Sequence, residues 1–115
     1  FSLSERIELA EKATKDISNI EVCGFNGLLV DFADKLKAKV ILRGLRVVSD
    51  FEYEFQMSSM NKKLNKNIES IFLTPSESYA FLSSSLVKEI AKLGGDISSF
   101  VSNDVKIALE KKYKK

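Results

Sequence analysis

At 115 residues, 44% hydrophobic and 30% charged, the chain lies in the range of one compact globular domain and outside the compositions of disordered or fibrous proteins. Its net charge is only +2, its one cysteine excludes an internal disulfide and favours cytoplasmic residence, and the absence of histidine removes the commonest neutral-pH acid–base group and zinc ligand. No apolar run approaches the ~20 residues of a membrane-spanning helix, and no signal peptide opens the chain.

In chain order, Ser2 and Glu5 have capping-box spacing, and Leu3, Ile7, Ala10 and Ile17 recur on one face. Phe1–Ile17 is therefore expected to be a surface helix, dressed by Glu8–Lys12 and Glu11–Lys15 pairs. Ile20–Cys23 reads as a short β-prone run closed by Gly24, with Cys23 serving as a small hydrophobe. Gly27 opens a second helical stretch, Leu28–Leu36, whose wet side carries Asp31 and Asp34. Val40-Ile41-Leu42 has no polar alternation, which predicts a strand covered on both faces and completes a βαβ unit.

Ser49 and Glu52 repeat the capping-box spacing and open a helix to about Leu64. Phe51 and Phe55 fall on one stripe of it and Tyr53, Met57, Met60 and Leu64 on another, an apolar arc wide enough for part to face another subunit. Ile68–Leu73 predicts a further strand, stopped by Pro75. Ser83-Ser84-Ser85 then begins a helix that Gly94-Gly95 ends, and a last helix covers Asn103–Lys112. Lys106, Lys111, Lys112, Lys114 and Lys115 face one acid, Glu110, in the final stretch; a solvated helix end is expected rather than a nucleic-acid or membrane contact. The order α-β-α-β-α-β-α-α predicts one α/β domain over 1–115 with a mainly parallel sheet.

In such sheets ligands bind beyond the carboxyl ends of the strands. Arg43-Gly44-Leu45-Arg46 follows the first buried triplet, and there two readings stay open. The guanidinium forks can take a polyanion, with glycine admitting close backbone approach, or they can pair with Asp50, Glu52 or Glu54 on the next helix. After the next strand, the serine triplet at a helix start is either an anion pocket or an N-cap with two bystanders. Lys62, Lys63 and Lys66 read as a solvated helix end, and Tyr79 and Phe81 as loop anchors or an adenine platform. No Walker-type loop, metal-ligand cluster or nucleophile elbow is present.

RGLRVVSDFEYEFQMSSMN (43–61) and FLSSSLVKEIAKLGGDIS (81–98), with FSLSERIEL, VCGFNGLLVDFA and ESIFLTPSESYAFLSSS in the same order, closely resemble the phosphopantetheine adenylyltransferase family. The resemblance implies a Rossmann-like nucleotidyltransferase fold and transfer of AMP from ATP to 4'-phosphopantetheine, giving dephospho-coenzyme A and pyrophosphate in coenzyme A biosynthesis. It also implies magnesium, a homohexamer in the cytoplasm, and no nucleic-acid or membrane partner. Arg43, and Leu29 through its backbone, are implied to hold phosphopantetheine; Gly44, Leu45, Arg46 and Glu54 to contact ATP; and Tyr79, Ala80, Phe81, Leu82, Ser83, Ser84 and Ser85 to hold adenine and phosphates. The family's opening strand, its T-x-G-H motif and the lysine that follows have no counterpart in these residues. The chain is thus expected to be the C-terminal two-thirds of the domain, with a catalytic histidine lacking and Arg46 in a supporting role. A nucleotide-binding or assembly fragment without turnover is the alternative.

Overall fold

A computed structural model describes residues 1–114, apart from the side chains of Val48 and Ser49. In chain order the elements are α1 (Leu3–Thr14), α2 (Leu29–Lys35), β1 (Val40–Gly44), α3 (Val48–Leu64), β2 (Glu69–Leu73), a 3-10 turn (Glu77–Tyr79), α4 (Ser84–Lys92) and α5 (Asn103–Tyr113). They form two compact units, one of Phe25–Phe81 and one of Phe1–Gly24 with the chain from Leu82 onward.

The first of these is the α/β unit. β1 and β2 pair in parallel, Val40 opposite Glu69 through Gly44 opposite Leu73, and α3 is the crossover between them. The ladder is extended at both ends by Glu69 N–H to the Lys39 carbonyl (2.9 Å) and Leu45 N–H to the Leu73 carbonyl (2.8 Å). Val30 and Ala33 of α2 meet Ile68 in a buried cluster, with Ala38 and Ile41 packed against it.

The expectation of a strand covered on both faces is corrected. Ile41, Ser70 and Phe72 are half-buried, but Leu42 and Leu73 on the opposite face keep 60% and 59% of their surface exposed. Strand side chains alternate between faces, and only one face of this ladder is covered.

α3 also turns out differently from its apolar pattern. It begins at Val48, and its N-cap, Val47, makes no side-chain cap bond. Ser49 therefore lies within the first turn, and the capping box expected from its side chain falls outside the described residues. The helix turns polar residues inward: Glu54 and Asn61 are buried, Asp50 and Ser58 half-buried, with Met57 among them. Phe51, Tyr53, Phe55, Met60 and Leu64 are exposed, and Phe51 and Phe55 stack with centroids 5.9 Å apart. Lys62 at its end is held by Glu69.

The second unit is helical. α1 starts in the expected capping box: Ser2 Oγ accepts from Glu5 N–H (3.2 Å) and Ser2 N–H donates to Glu5 Oε2 (2.6 Å). Glu8 and Lys12 pair at 2.6 Å, whereas among the described residues no ion pair joins Glu11 to Lys15, which stands at the C-cap. The β-prone run Ile20–Cys23 forms no strand, and Cys23 is exposed rather than packed. Strand propensity is expressed only where a neighbour completes the backbone hydrogen bonds, and among the described residues no ladder reaches this run. Gly24 instead passes so close to α1 that a Cβ would lie 2.9 Å from Ile7 Cδ1.

Val87, Ile97 and Leu109 form the buried centre of this unit, with Ile90, Phe100 and Val105 around them. α4 is closed as expected. Gly94 at φ +79° lets its N–H reach the Ala91 carbonyl (3.1 Å) and the Gly95 N–H reach the Ile90 carbonyl (2.9 Å). The lysine-rich end is paired as well as solvated: Lys106 donates to Ser98 Oγ at 2.7 Å and lies 3.7 Å from Asp96 and 3.8 Å from Glu110. Among the described residues no helix is long and apolar enough to cross a membrane.

Candidate functional site

The strand β1 does not stop before the two arginines. Arg43 and Gly44 are its last residues, so Arg43 sits in the ladder opposite Phe72 on β2. Alternation places Arg43 on the face of Ile41, beneath α3. There its Nε donates to Glu54 Oε2 (2.9 Å) and its Nη2 to Glu54 Oε1 (2.7 Å), a two-point fork. The Arg43 hydrogen bond holds the Glu54 carboxyl below its ordinary range, against the upward push of burial, and the same bond raises the Arg43 guanidinium.

One turn earlier on α3, Asp50 engages the second arginine. Asp50 Oδ2 accepts from Arg46 Nε (2.9 Å) and from the Arg46 backbone N–H (3.1 Å). Hydrogen bonding to Arg46 lowers the Asp50 pKa. The pairing left open by the sequence is thereby resolved: positions 50 and 54 share a helical face, and Glu52 lies exposed between them.

Arg43, Glu54 and Leu29 line one cleft of about 80 Å³, together with Tyr53, Met57 and Asn61. Pockets that enclose a whole small-molecule ligand run to ~300–1,000 Å³, so this one has room for the end of an extended ligand. Its polar wall comes from α3 and its apolar wall from Leu29, Ile41 and Phe72. Tyr53 and Asn61 were not singled out as site residues from sequence. The signal was present in Asp50, Glu54, Ser58 and Asn61, a polar stripe of helical period that a search for apolar periodicity passes over.

Beyond the strand, a Cβ built on Gly44 meets nothing within 4 Å, so the backbone is approachable there. The amides of Leu45 and Arg46 already donate, to the Leu73 carbonyl and to Asp50. Tyr79 ends the 3-10 turn and, like Phe81, is exposed, whereas Ala80 is half-buried. Tyr79, Ala80 and Phe81 belong to the α/β unit, and Leu82, Ser83, Ser84 and Ser85 to the helical unit.

In the helical unit, Ser83 is the N-cap of α4 and its Oγ accepts from the Leu86 N–H (3.1 Å). Ser84 and Ser85 are exposed in the first turn, and Leu82 packs against the buried cluster. A larger groove, about 430 Å³, runs between α1 and α5 and is edged by Glu8, Lys12, Asp104 and Lys111, with Lys112 5.5 Å above the Phe1 ring. Among the described residues no three histidine, cysteine or acidic side chains converge on a point that could hold a metal.

Two comparisons bear on this geometry. Residues 1–90 match the cytidylyltransferase-like family. The chain is also 59% identical over 113 residues to a phosphopantetheine adenylyltransferase of Methylococcus capsulatus, an alignment that covers 98% of this chain and 70% of that protein.

Proposed function

The chain belongs to the phosphopantetheine adenylyltransferases, cytidylyltransferase-like nucleotidyltransferases of coenzyme A biosynthesis, and from that membership we propose that it transfers AMP from ATP to 4'-phosphopantetheine. An oxygen of the 4'-phosphate attacks the α-phosphorus of ATP, the bond from that phosphorus to the bridging oxygen of the β-phosphate breaks, and pyrophosphate leaves with the electron pair. Dephospho-coenzyme A is the other product. The attacking phosphate is already an anion, so no strong base is required, and catalysis reduces to alignment and neutralisation of charge.

One observation carries this reading: Arg43 and Leu29, 14 residues apart in sequence by their numbers, line the same cleft, with the Arg43 fork already oriented by Glu54. In the proposal Arg43 binds the 4'-phosphate, and Leu29 contacts the pantetheine arm through its backbone. Gly44, Leu45, Arg46 and Glu54 serve the ATP side, and Arg46 neutralises charge developing on the α-phosphate. The segment from Tyr79 to Ser85 holds adenine and phosphates, the exposed hydroxyls of Ser84 and Ser85 at the α4 N-terminus being suited to anions.

Magnesium is part of the proposal only as a companion of ATP. The donor set here does not fit a resident ion, since no acidic cluster is present among the described residues, and no step is assigned to it. The proposed assembly is a homohexamer, supported by the exposed apolar residues of α3.

The test is product formation. Full-length protein given ATP and 4'-phosphopantetheine is expected to yield dephospho-coenzyme A, and Arg46→Ala to lower kcat/KM by about 10²-fold, the scale of one lost charge-stabilising donor. Full activity in that variant overturns the role of Arg46. A second reading, nucleotide binding or assembly without turnover, has the exposed apolar residues of α3 in its favour. ATP binding by calorimetry with no product from the full-length protein would select it.

A further inference from the structure

Resting on the reading above, we propose that Asp50 is a positioning residue for the transfer step: it sets the Arg46 guanidinium at the end of β1 for the phosphates of ATP and acts through that arginine. Leu45, Arg46 and Val47 connect β1 to α3, and Asp50 stands in the first turn of that helix. An acid there is favoured by the helix dipole whether or not it serves a ligand. The contacts of Asp50 go further than that.

The N-cap Val47 makes no side-chain bond, and Asp50 reaches back past it to the residue before. Its Oδ2 accepts from both the Arg46 backbone N–H (3.1 Å) and the Arg46 Nε (2.9 Å), and its Oδ1 lies 3.4 Å from Nη2. A cap bond alone would fix only backbone. Gripping the amide and the side chain of one residue closes a ring through the arginine, so the direction of the guanidinium is set together with the loop. The loop is tied on its strand side as well, where the Leu45 N–H donates to the Leu73 carbonyl (2.8 Å). Arg46 is the more open partner, its side chain 42% exposed against 24% for Asp50. A long side chain held before ligand arrives loses less freedom on binding, and charge stabilisation in the transition state depends on a donor already in place. The bond from the Arg46 side chain is the chief cause of the lowered Asp50 pKa, against a smaller upward push from burial, so the carboxylate is ionised at neutral pH.

A residue that acts through Arg46 and one that merely starts α3 give different double-mutant cycles. In the full-length protein, Asp50→Ala is expected to lower kcat/KM for ATP about tenfold, less than the loss of Arg46 itself, because the donor stays but is misplaced. The KM for 4'-phosphopantetheine is expected to stay within about twofold, since Arg43 is held separately by Glu54. Adding Asp50→Ala to Arg46→Ala is expected to cost nothing further, because the residue it positions is gone. An equal loss in the Arg46→Ala background, or a rise in the KM for 4'-phosphopantetheine matching the loss toward ATP, assigns Asp50 to the loop's stability alone and overturns the proposal. Should Asp50→Ala fail to fold, Asp50→Asn keeps the shape, loses the charge and is read by the same cycle. If the wild-type protein forms no dephospho-coenzyme A, the activity reading fails by itself. Calorimetry with ATP then decides the role of Asp50: weaker binding in Asp50→Ala that vanishes in the Arg46→Ala background supports it, and unchanged binding overturns it.

Discussion

Glu54 meets Arg43 through hydrogen bonds of 2.9 and 2.7 Å, and this gives the pair a pH signature. The Glu54 pKa is lowered on folding, chiefly by the bond from Arg43. Ionised Glu54 therefore contributes stability that is complete above its ordinary unfolded value and is lost as pH falls through the lower folded value. Thermal melts are expected to show wild type more stable than Glu54→Gln by about 1–3 kcal/mol at neutral pH, with the two curves converging in acid. A difference that persists unchanged into acid would mean the carboxylate charge does not carry the effect. At this scale the sequence showed two arginines and three candidate acids but not their partners. The partners were fixed by helical phase, since a helix starting at Val48 places positions 50 and 54 on one side and 52 on the other.

Among the elements, the helix ends were the most legible, because a cap is a local arrangement of a few residues. Ser2 with Glu5, Ser83 before α4, and Gly94-Gly95 after it stand where the sequence pattern puts them. Two predictions follow from their geometry. Ser83→Ala leaves the Leu86 N–H without its acceptor and is expected to cost about 1 kcal/mol, read by denaturant titration at unchanged slope. Gly94→Ala forces a Cβ into φ +79° and is expected to cost about 1–2 kcal/mol in the same measurement; an unchanged midpoint would show the α4 terminus to be dispensable. The strands were less legible. Val40-Ile41-Leu42 and Ile20-Glu21-Val22-Cys23 both have β propensity, yet only the first has a partner, and pairing is a property of distant chain that no local window contains.

For the whole molecule, α3 presents Phe51, Tyr53, Phe55, Met60 and Leu64 to the outside. An exposed apolar group of this size marks an interaction surface, and it is the ground for the proposed hexamer. Phe55→Glu with Met60→Glu is expected to lower the mass found by analytical ultracentrifugation while leaving Arg43 and Glu54 paired. An unchanged mass would remove α3 from the interface. The sequence by itself determined the family, the α/β class, the order of helices and the residue types gathered around Arg43, because these are written in composition, period and motif. Tertiary structure decided which acid holds which arginine, which face of α3 turns inward, that Tyr53 and Asn61 share a cleft with Leu29, and that 20–23 is not a strand. Each of those depends on contacts between segments far apart in the chain, where burial and hydrogen-bond satisfaction outweigh local preference.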